Sequence, residues 1–365
     1  MACVLLTGAT GFLGREILWR LLARGREPVE CLVRAEDDAA AAARLEEVLA
    51  GAPPGALSAE ARSRARALRG DLEIEGLGLE PTVAAELERR LTRVVHGAAS
   101  VRFDLPLAEA RRVNVDGTRR VLDLAARSVV LERFDYVGTA YVAGRRAGRI
   151  GEDDLDGKAG FHNSYEQTKY EAERLVRERR ADLPIAIFRP SIVVGDSETG
   201  RAASFKVLYW PLQMISRGLI LIAPARRTGV VDLVPVDYVC DALEAISADP
   251  ASRGGSFHLT AGEEASATVG EILELAVGFF GVRRPLLVDP ATFYAGIRPL
   301  VYAFAWGRRR QVLRRGRVYV PYLSHRARFD VSRSRAACDL RPPQVATYFR
   351  RLMEYAVETD WGRGG

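Results

Sequence analysis

Cys3-Val4-Leu5-Leu6-Thr7-Gly8-Ala9-Thr10-Gly11-Phe12-Leu13-Gly14-Arg15 decides how the rest of this chain is read. A short apolar run meets three glycines spaced three apart, and a pattern of helical period then continues to Arg24. The local structure implied is a strand, a tight turn and a helix. Glycines at 8, 11 and 14 remove side chains where an anion would approach the helix N-terminus, whose free amides and dipole favour negative charge. Such turns also arise for packing alone. The strand before and the helix after favour the pyrophosphate of a dinucleotide here.

Outward from that turn, β-branched runs alternate with longer Ala, Leu and Arg patterns. Strands are expected at 3–7, 29–34, 67–70, 93–97, 133–137 and 185–189, with helices at 11–24, 39–50, 83–90, 105–126 and 165–180. Six strands joined by crossover helices make a doubly wound parallel sheet of α/β class. After Pro190 the rhythm loosens and a smaller lobe begins. A strand at 231–236, a helix at 238–247 and a strand at 256–259 are expected to return to the sheet. Residues 1–190 with 228–260 would then form the dinucleotide-binding domain, interleaved with a C-terminal substrate lobe of 191–227 and 261–365. Within that lobe the patterns give a helix at 268–280, a proline-bearing strand at 285–288, a basic segment at 308–317 exposed on one helix face, and a last helix at 343–357.

Composition sets the bounds. With 365 residues, 48% hydrophobic and 27% charged, the chain can bury a substantial core, which excludes disordered and fibrous classes. Lys plus Arg exceed Asp plus Glu by only 53 to 47, too small an excess for a nucleic-acid footprint, so no nucleic-acid partner is expected. Cys3, Cys31, Cys240 and Cys338 show no CxxC spacing, so neither disulfides nor a metal site are expected, and the thiols fit a reducing cytoplasm. The first strand begins without a signal peptide. The longest apolar stretches, 210–225 and 294–306, are interrupted by Arg217 and Arg298, so no bilayer span is expected, while peripheral membrane contact stays open.

The end of the second strand chooses between cofactors. A carboxylate there would accept ribose hydroxyls of NAD, but the chain reads Leu32-Val33-Arg34, and Arg34, assisted by Arg15, suits the 2′-phosphate of NADP(H). Asp71, in Gly70-Asp71-Leu72, would accept from the adenine amino group or cap a turn. Tyr165 and Lys169 form Tyr-x-x-x-Lys, which places both side chains on one face of a helix. An ammonium beside the phenol is expected to draw its pKa down from near 10 into a useful acid-base range. Thr139, just past the fifth strand, can donate to a substrate oxygen.

Together these segments resemble the extended short-chain dehydrogenase/reductase superfamily, with its Rossmann sheet. The marks are TGATGFLG at 7–14, GDL at 70–72, HGAAS at 96–100, NVDGT at 114–118 and YEQTK at 165–169. Within it the chain is similar to the thioester reductase and fatty acyl-CoA reductase branch, through LVRA at 32–35, FRPSIVVGDSETG at 188–200 and VDLVPVDYV at 231–239. The resemblance implies a catalytic set of Thr139, Tyr165 and Lys169, supported by Asn114. It implies cofactor contacts from Thr7, Gly8, Thr10, Gly11, Phe12, Leu13, Gly14, Arg15, Arg34, Asp71, Leu72, Ala98, Ala99, Tyr165, Lys169, Pro190 and Ser191. Gly138 stands where relatives often carry serine. No adenylation or carrier domain accompanies these residues, so a carrier-bound substrate is expected from a separate protein.

The expected activity is NADPH-dependent reduction of an acyl thioester, on CoA or an acyl carrier protein, to an aldehyde, with a second hydride able to give the primary alcohol. Two other readings share the motifs. One is a dehydrogenase or reductase of a secondary alcohol or ketone; the other is a non-catalytic NADP-binding regulator, against which the presence of both Tyr165 and Lys169 argues.

Overall fold

Seven strands, all parallel, form the central sheet: β1 (Cys3–Thr7), β2 (Val29–Val33), β3 (Ala65–Arg69), β4 (Leu91–His96), β5 (Arg133–Val137), β6 (Ile185–Pro190) and β7 (Ser256–Leu259). Their order across the sheet is β7-β6-β5-β4-β1-β2-β3. This computed structural model describes residues 2–305, 307–324 and 326–362, and at 300, 302, 304 and 308 the backbone alone.

β1, β2, β5 and β6 are buried along their whole length, so β1 reads as a continuous apolar run, while the charged residues within the others, Glu30, Arg133, Asp135 and Arg189, are buried in ion pairs. Helices cover both faces. Ile17, Leu18, Leu45, Val48, Val239 and Leu243 build the core on one side, from the Phe12–Arg24, Asp38–Ala50 and Val236–Ala248 helices. Val121, Leu122, Ala172 and Val176 build the other, from the Gly117–Ala126 and Ser164–Glu178 helices. The chain runs outward from β1 to β3 and then crosses to β4 on the other flank of β1. That reversal is the switch point beyond whose strand ends an α/β sheet binds its ligand.

Two expected elements differ. The strand expected at 231–236 is split at Asp232: Val230–Val231 pairs antiparallel with Ala267–Thr268, and Leu233–Pro235 pairs parallel with Ile192–Val194. Neither piece joins the seven-stranded sheet, because the buried Asp232 carboxylate accepts from the amides of Ala261 and Gly262 at 2.7 and 3.2 Å and ties the segment to that loop instead. The helix expected at 105–126 starts at Leu107 and is interrupted by a π turn at Arg112–Asp116. This extra residue in the turn accompanies the burial of Asn114, a placement typical of functional sites.

Beyond the sheet, a separate core of Ile192, Tyr209, Leu212, Leu233, Ile272, Tyr348, Phe349 and Leu352 fills the second lobe. It lies between the Tyr209–Ser216, Val269–Phe280 and Val345–Glu358 helices. Thr268 and Glu271 close a capping box at the start of the second of these, which explains its clean onset in sequence. The basic segment forms the Arg308–Gly316 helix, followed by a 3-10 turn at Arg317–Leu323. Cys3, Cys31 and Cys240 are buried and Cys338 half-buried, all as free thiols. No helix among the described residues is long and apolar enough to cross a membrane, and no cluster of His, Cys, Asp or Glu among them has the makings of a metal site.

Candidate active site

A cleft of about 490 Å³ opens at the carboxyl ends of β1 to β4. Of the residues singled out for the cofactor, Thr7, Gly8, Thr10, Gly11, Arg34, Asp71, Leu72, Ala98 and Ala99 line it. The three glycines do different work. Gly8 has φ +82°, and a Cβ there would lie 2.8 Å from the Ala98 amide nitrogen. At Gly14 a Cβ would sit 1.9 Å from the Gly8 carbonyl oxygen, so that position closes the turn on itself. Gly11 is extended and exposed, with only the Gly8 carbonyl nearby, and no side chain caps the helix that starts after it. A side chain at 11 would fill the space over those amides, so the turn fits a pyrophosphate.

The remaining cofactor candidates lie elsewhere. Phe12 and Leu13 pack against the core. Arg15 corrects an expectation: it is not brought together with Arg34, because its guanidinium turns back to the Thr10 carbonyl at 3.4 Å and lies toward Arg201 and Tyr355. Arg34 is 70% exposed, with Glu73 at 3.7 Å, and Arg44 and Arg112 line the same end of the cleft. Asp71 accepts from the Glu73 amide at 2.9 Å while facing the cleft, so the turn-capping geometry is present.

Behind the cleft wall a directed chain of hydrogen bonds fixes the loop after β4. The Ala98 amide donates to Thr7 Oγ1 (3.2 Å), which meets His96 Nδ1 (2.7 Å). His96 Nε2 meets Thr118 Oγ1 (3.0 Å), which donates to the Asn114 carbonyl (2.7 Å). With the Thr118 proton given to the Asn114 carbonyl, His96 must donate from Nε2, and in its neutral form it accepts the Thr7 hydroxyl at Nδ1. Burial, with the Lys169 charge nearby, lowers its pKa to about 3. The Asn114 side chain accepts from the Ser100 amide (2.7 Å) and donates to the Ser100 carbonyl (3.1 Å) and Thr168 Oγ1 (2.9 Å). It thereby staples the cleft loop to the helix that carries Tyr165 and Lys169.

Thr139 ends the β5 connection as the N-cap of a short 3-10 turn, accepting from the Tyr141 amide at 3.3 Å and donating to the Pro190 carbonyl at 3.4 Å. Thr139 is the side chain that opposes burial in setting the Tyr165 pKa, which places the two hydroxyls side by side. Ser191 follows Pro190, buried near Asp232. Lys169 is buried one turn along the helix, its Nζ donating to the Val137 carbonyl at 2.9 Å and lying 4.4 Å above the Tyr136 ring. Burial lowers its pKa to about 7. Below it Glu173 is held ionised between Arg189 (2.6 Å) and Arg177 (3.0 Å).

The expected downward shift of the phenol is reversed. Burial pushes Tyr165 up to about 12, opposed by the Thr139 hydrogen bond. Lys169 is aimed at Val137 and Tyr136, so desolvation governs the phenol. Sequence reasoning also missed an aromatic cluster around it: Phe103 lies 5.8 Å from Tyr165 and stacks on Tyr322 at 5.3 Å, which meets Tyr141 edge-on at 5.0 Å. Glu166, fully buried beside Tyr165, accepts from Tyr322 at 2.7 Å and from the His162 amide at 2.9 Å. Glu166 stands inside a quoted motif, but nothing local links it to a tyrosine 156 residues away.

A dinucleotide cleft at the switch point of this sheet, abutted by the Thr139, Tyr165 and Lys169 cluster, is the arrangement of an extended short-chain dehydrogenase/reductase, an NAD(P)-binding oxidoreductase. Within that class the chain belongs to the family described as "Male sterility protein", which matches residues 6–243. It is 34% identical over 247 residues to an isonitrile lipopeptide synthase of Streptomyces coeruleorubidus, covering 67% of this chain and 16% of that protein. To the fatty acyl-CoA reductase wat of Drosophila melanogaster it is 29% identical over 280 residues, covering 67% of this chain and 54% of that protein. The chain therefore spans only part of these relatives. Among solved structures, the terminal R domain from the myxalamid PKS-NRPS biosynthetic pathway superposes with a TM-score of 0.84 at 27% identity, covering 100% of this chain and 92% of that one.

Proposed function

We propose that the protein reduces an acyl thioester, carried on CoA or on an acyl carrier protein, to an aldehyde with NADPH. The observation that carries this reading is the Tyr165 phenol placed beside Thr139, on the helix that Asn114 ties to the cleft loop. The phenol is a neutral donor for an oxygen that gains charge during reaction, and Thr139 is a second once its proton turns from the Pro190 carbonyl. With its pKa raised to about 12, Tyr165 stays protonated at neutral pH and serves as donor and acid rather than base, the polarity a reduction requires.

When bound, the nicotinamide supplies hydride to the thioester carbonyl carbon. Thr139 and Tyr165 would donate to the developing oxyanion, Lys169 would be the residue to hold the nicotinamide ribose hydroxyls by turning from the Val137 carbonyl, and Asn114 keeps the loop and the helix in register. Collapse of the hemithioacetal expels the thiol. Cys3, Cys31 and Cys240 are not suited to nucleophilic attack, since burial raises their pKa. NADP is favoured over NAD by Arg34, Arg44 and Arg112 at the adenosine end of the cleft. The family relationship supports thioesters over other carbonyl substrates.

The test is cofactor oxidation and product analysis on purified protein with NADPH or NADH and acyl-CoA or acyl-carrier thioesters. Aldehyde formed faster with NADPH is expected. Tyr165→Phe should lower turnover by roughly 10²–10⁴ while dinucleotide binding persists. Reduction of ketones with no thioester consumed would overturn the reading.

A further inference from the structure

A cavity of about 90 Å³ lies in the second lobe, roofed by Tyr319 and Tyr322 and walled by apolar side chains, Ile192, Leu212, Leu233 and Ile272 among them. No charged group among the described residues lines it. The one polar atom of the Tyr322 side chain is engaged elsewhere, donating to Glu166 and accepting from Asn163 Nδ2 at 2.9 Å, so the ring is what the cavity meets. Phe103 contacts both Tyr322 and Tyr165, which sets the cavity roof one aromatic ring from the phenol. On another side Ala225, Leu273, Pro285 and Leu287 line the cavity and also a separate groove of about 440 Å³ that carries Arg226, Arg227, Arg284 and Asp289, with the arginines paired to Asp289 and Glu274. Those four side chains are a partition between an apolar chamber and a polar, ion-paired groove.

We propose that the cavity holds the unbranched apolar chain of the substrate and that the Ala225, Leu273, Pro285 and Leu287 partition is the end-stop that sets its length. The assignment rests on the thioester reading for its substrate but not for its occupant. Each methylene transferred from water into the chamber is worth about a fourfold gain in binding. The gain stops where the chain meets the partition, and a charged chain end is excluded because the chamber offers it no partner. Removing part of the partition opens the chamber toward the groove, where a longer chain finds room.

Two measurements test this. In the first, kcat/KM is recorded across a series of saturated acyl thioesters for the wild type, Leu273→Ala and Ala225→Leu. A rise of about fourfold per methylene up to a break is expected, with the break moved to longer chains in Leu273→Ala and to shorter ones in Ala225→Leu. In the second, saturated free fatty acids displace a fluorescent fatty acid from the wild type and from Tyr165→Phe, a readout that needs no chemistry and no wall variant to fold. A break at the same length is expected. Thioester turnover with no dependence on chain length, or a Leu273→Ala protein that loses all lengths equally, would overturn the end-stop. Fatty acids binding with a length break while no thioester is reduced would instead overturn the proposed reaction and leave the chamber's occupant standing.

Discussion

Lys169 shows how one side chain can be poor for stability and necessary for a site. Its ammonium is buried with a single carbonyl and a ring face for company, and its pKa falls from 10.5 in the unfolded chain to about 7. Between those values the unfolded state holds more protons than the folded one, so stability rises with pH across that window and is lowest, and flat, below pH 7. Lys169→Met should therefore raise the thermal midpoint of the dinucleotide-free protein at pH 7 by the equivalent of roughly 0.5–2 kcal/mol. The advantage should shrink as pH approaches 10.5, and turnover should be lost. A variant less stable than wild type at pH 7 would show that the ammonium stabilises its surroundings. Tyr165 makes the complementary point, since its spacing from Lys169 invited a lowered pKa and burial imposed a raised one.

At the scale of the element, the turn between β1 and the Phe12–Arg24 helix separates what glycine does for folding from what it does for binding. A methyl at Gly14 would overlap the Gly8 carbonyl, whereas one at Gly11 would meet it at 3.2 Å and otherwise face open space. Gly14→Ala should cost about 1–3 kcal/mol of unfolding free energy, the range for forced overpacking. Gly11→Ala should leave the unfolding midpoint nearly unchanged and weaken dinucleotide binding, measured by fluorescence titration. The reverse ranking would remove the pyrophosphate from this turn. The π turn at Arg112–Asp116 is a second such element, because it presents Asn114 to Ser100 and Thr168 together.

Across the whole molecule, charge is distributed unevenly. Arginines over the sheet are largely paired, as Arg20, Arg93, Arg133 and Arg189 are, but Arg309, Arg310, Arg314, Arg315 and Arg317 are exposed and enter none of the ion pairs seen among the described residues. Their helix ends at Gly316 against Trp210, which stacks on Tyr319 at the cavity roof. An acidic carrier protein docked there would bring its thioester to the site, with attraction that fades as salt rises. Reversing Arg309, Arg310 and Arg314 to glutamate should raise KM for a carrier-bound thioester about tenfold or more at low salt. The KM for an uncharged pantetheine thioester should hold. An equal effect on both substrates would sink the docking role.

Much of this was legible in the sequence, because strands, glycine turns and the Tyr-x-x-x-Lys face are written in spacings of a few residues. β1 lies where its apolar run puts it and β5 where its alternation of charged and aromatic residues does, and the dinucleotide turn follows from eight residues. What spacing cannot encode is which distant segments share an interior. The division of 231–236, the direction of Arg15 toward Arg201 and Tyr355, the bond from Tyr322 to Glu166 and the apolar chamber beneath it all depend on contacts between segments far apart in the chain. Burial and desolvation are sums over those contacts, so the protonation of Tyr165 and Lys169 was decided only when the lobes packed together.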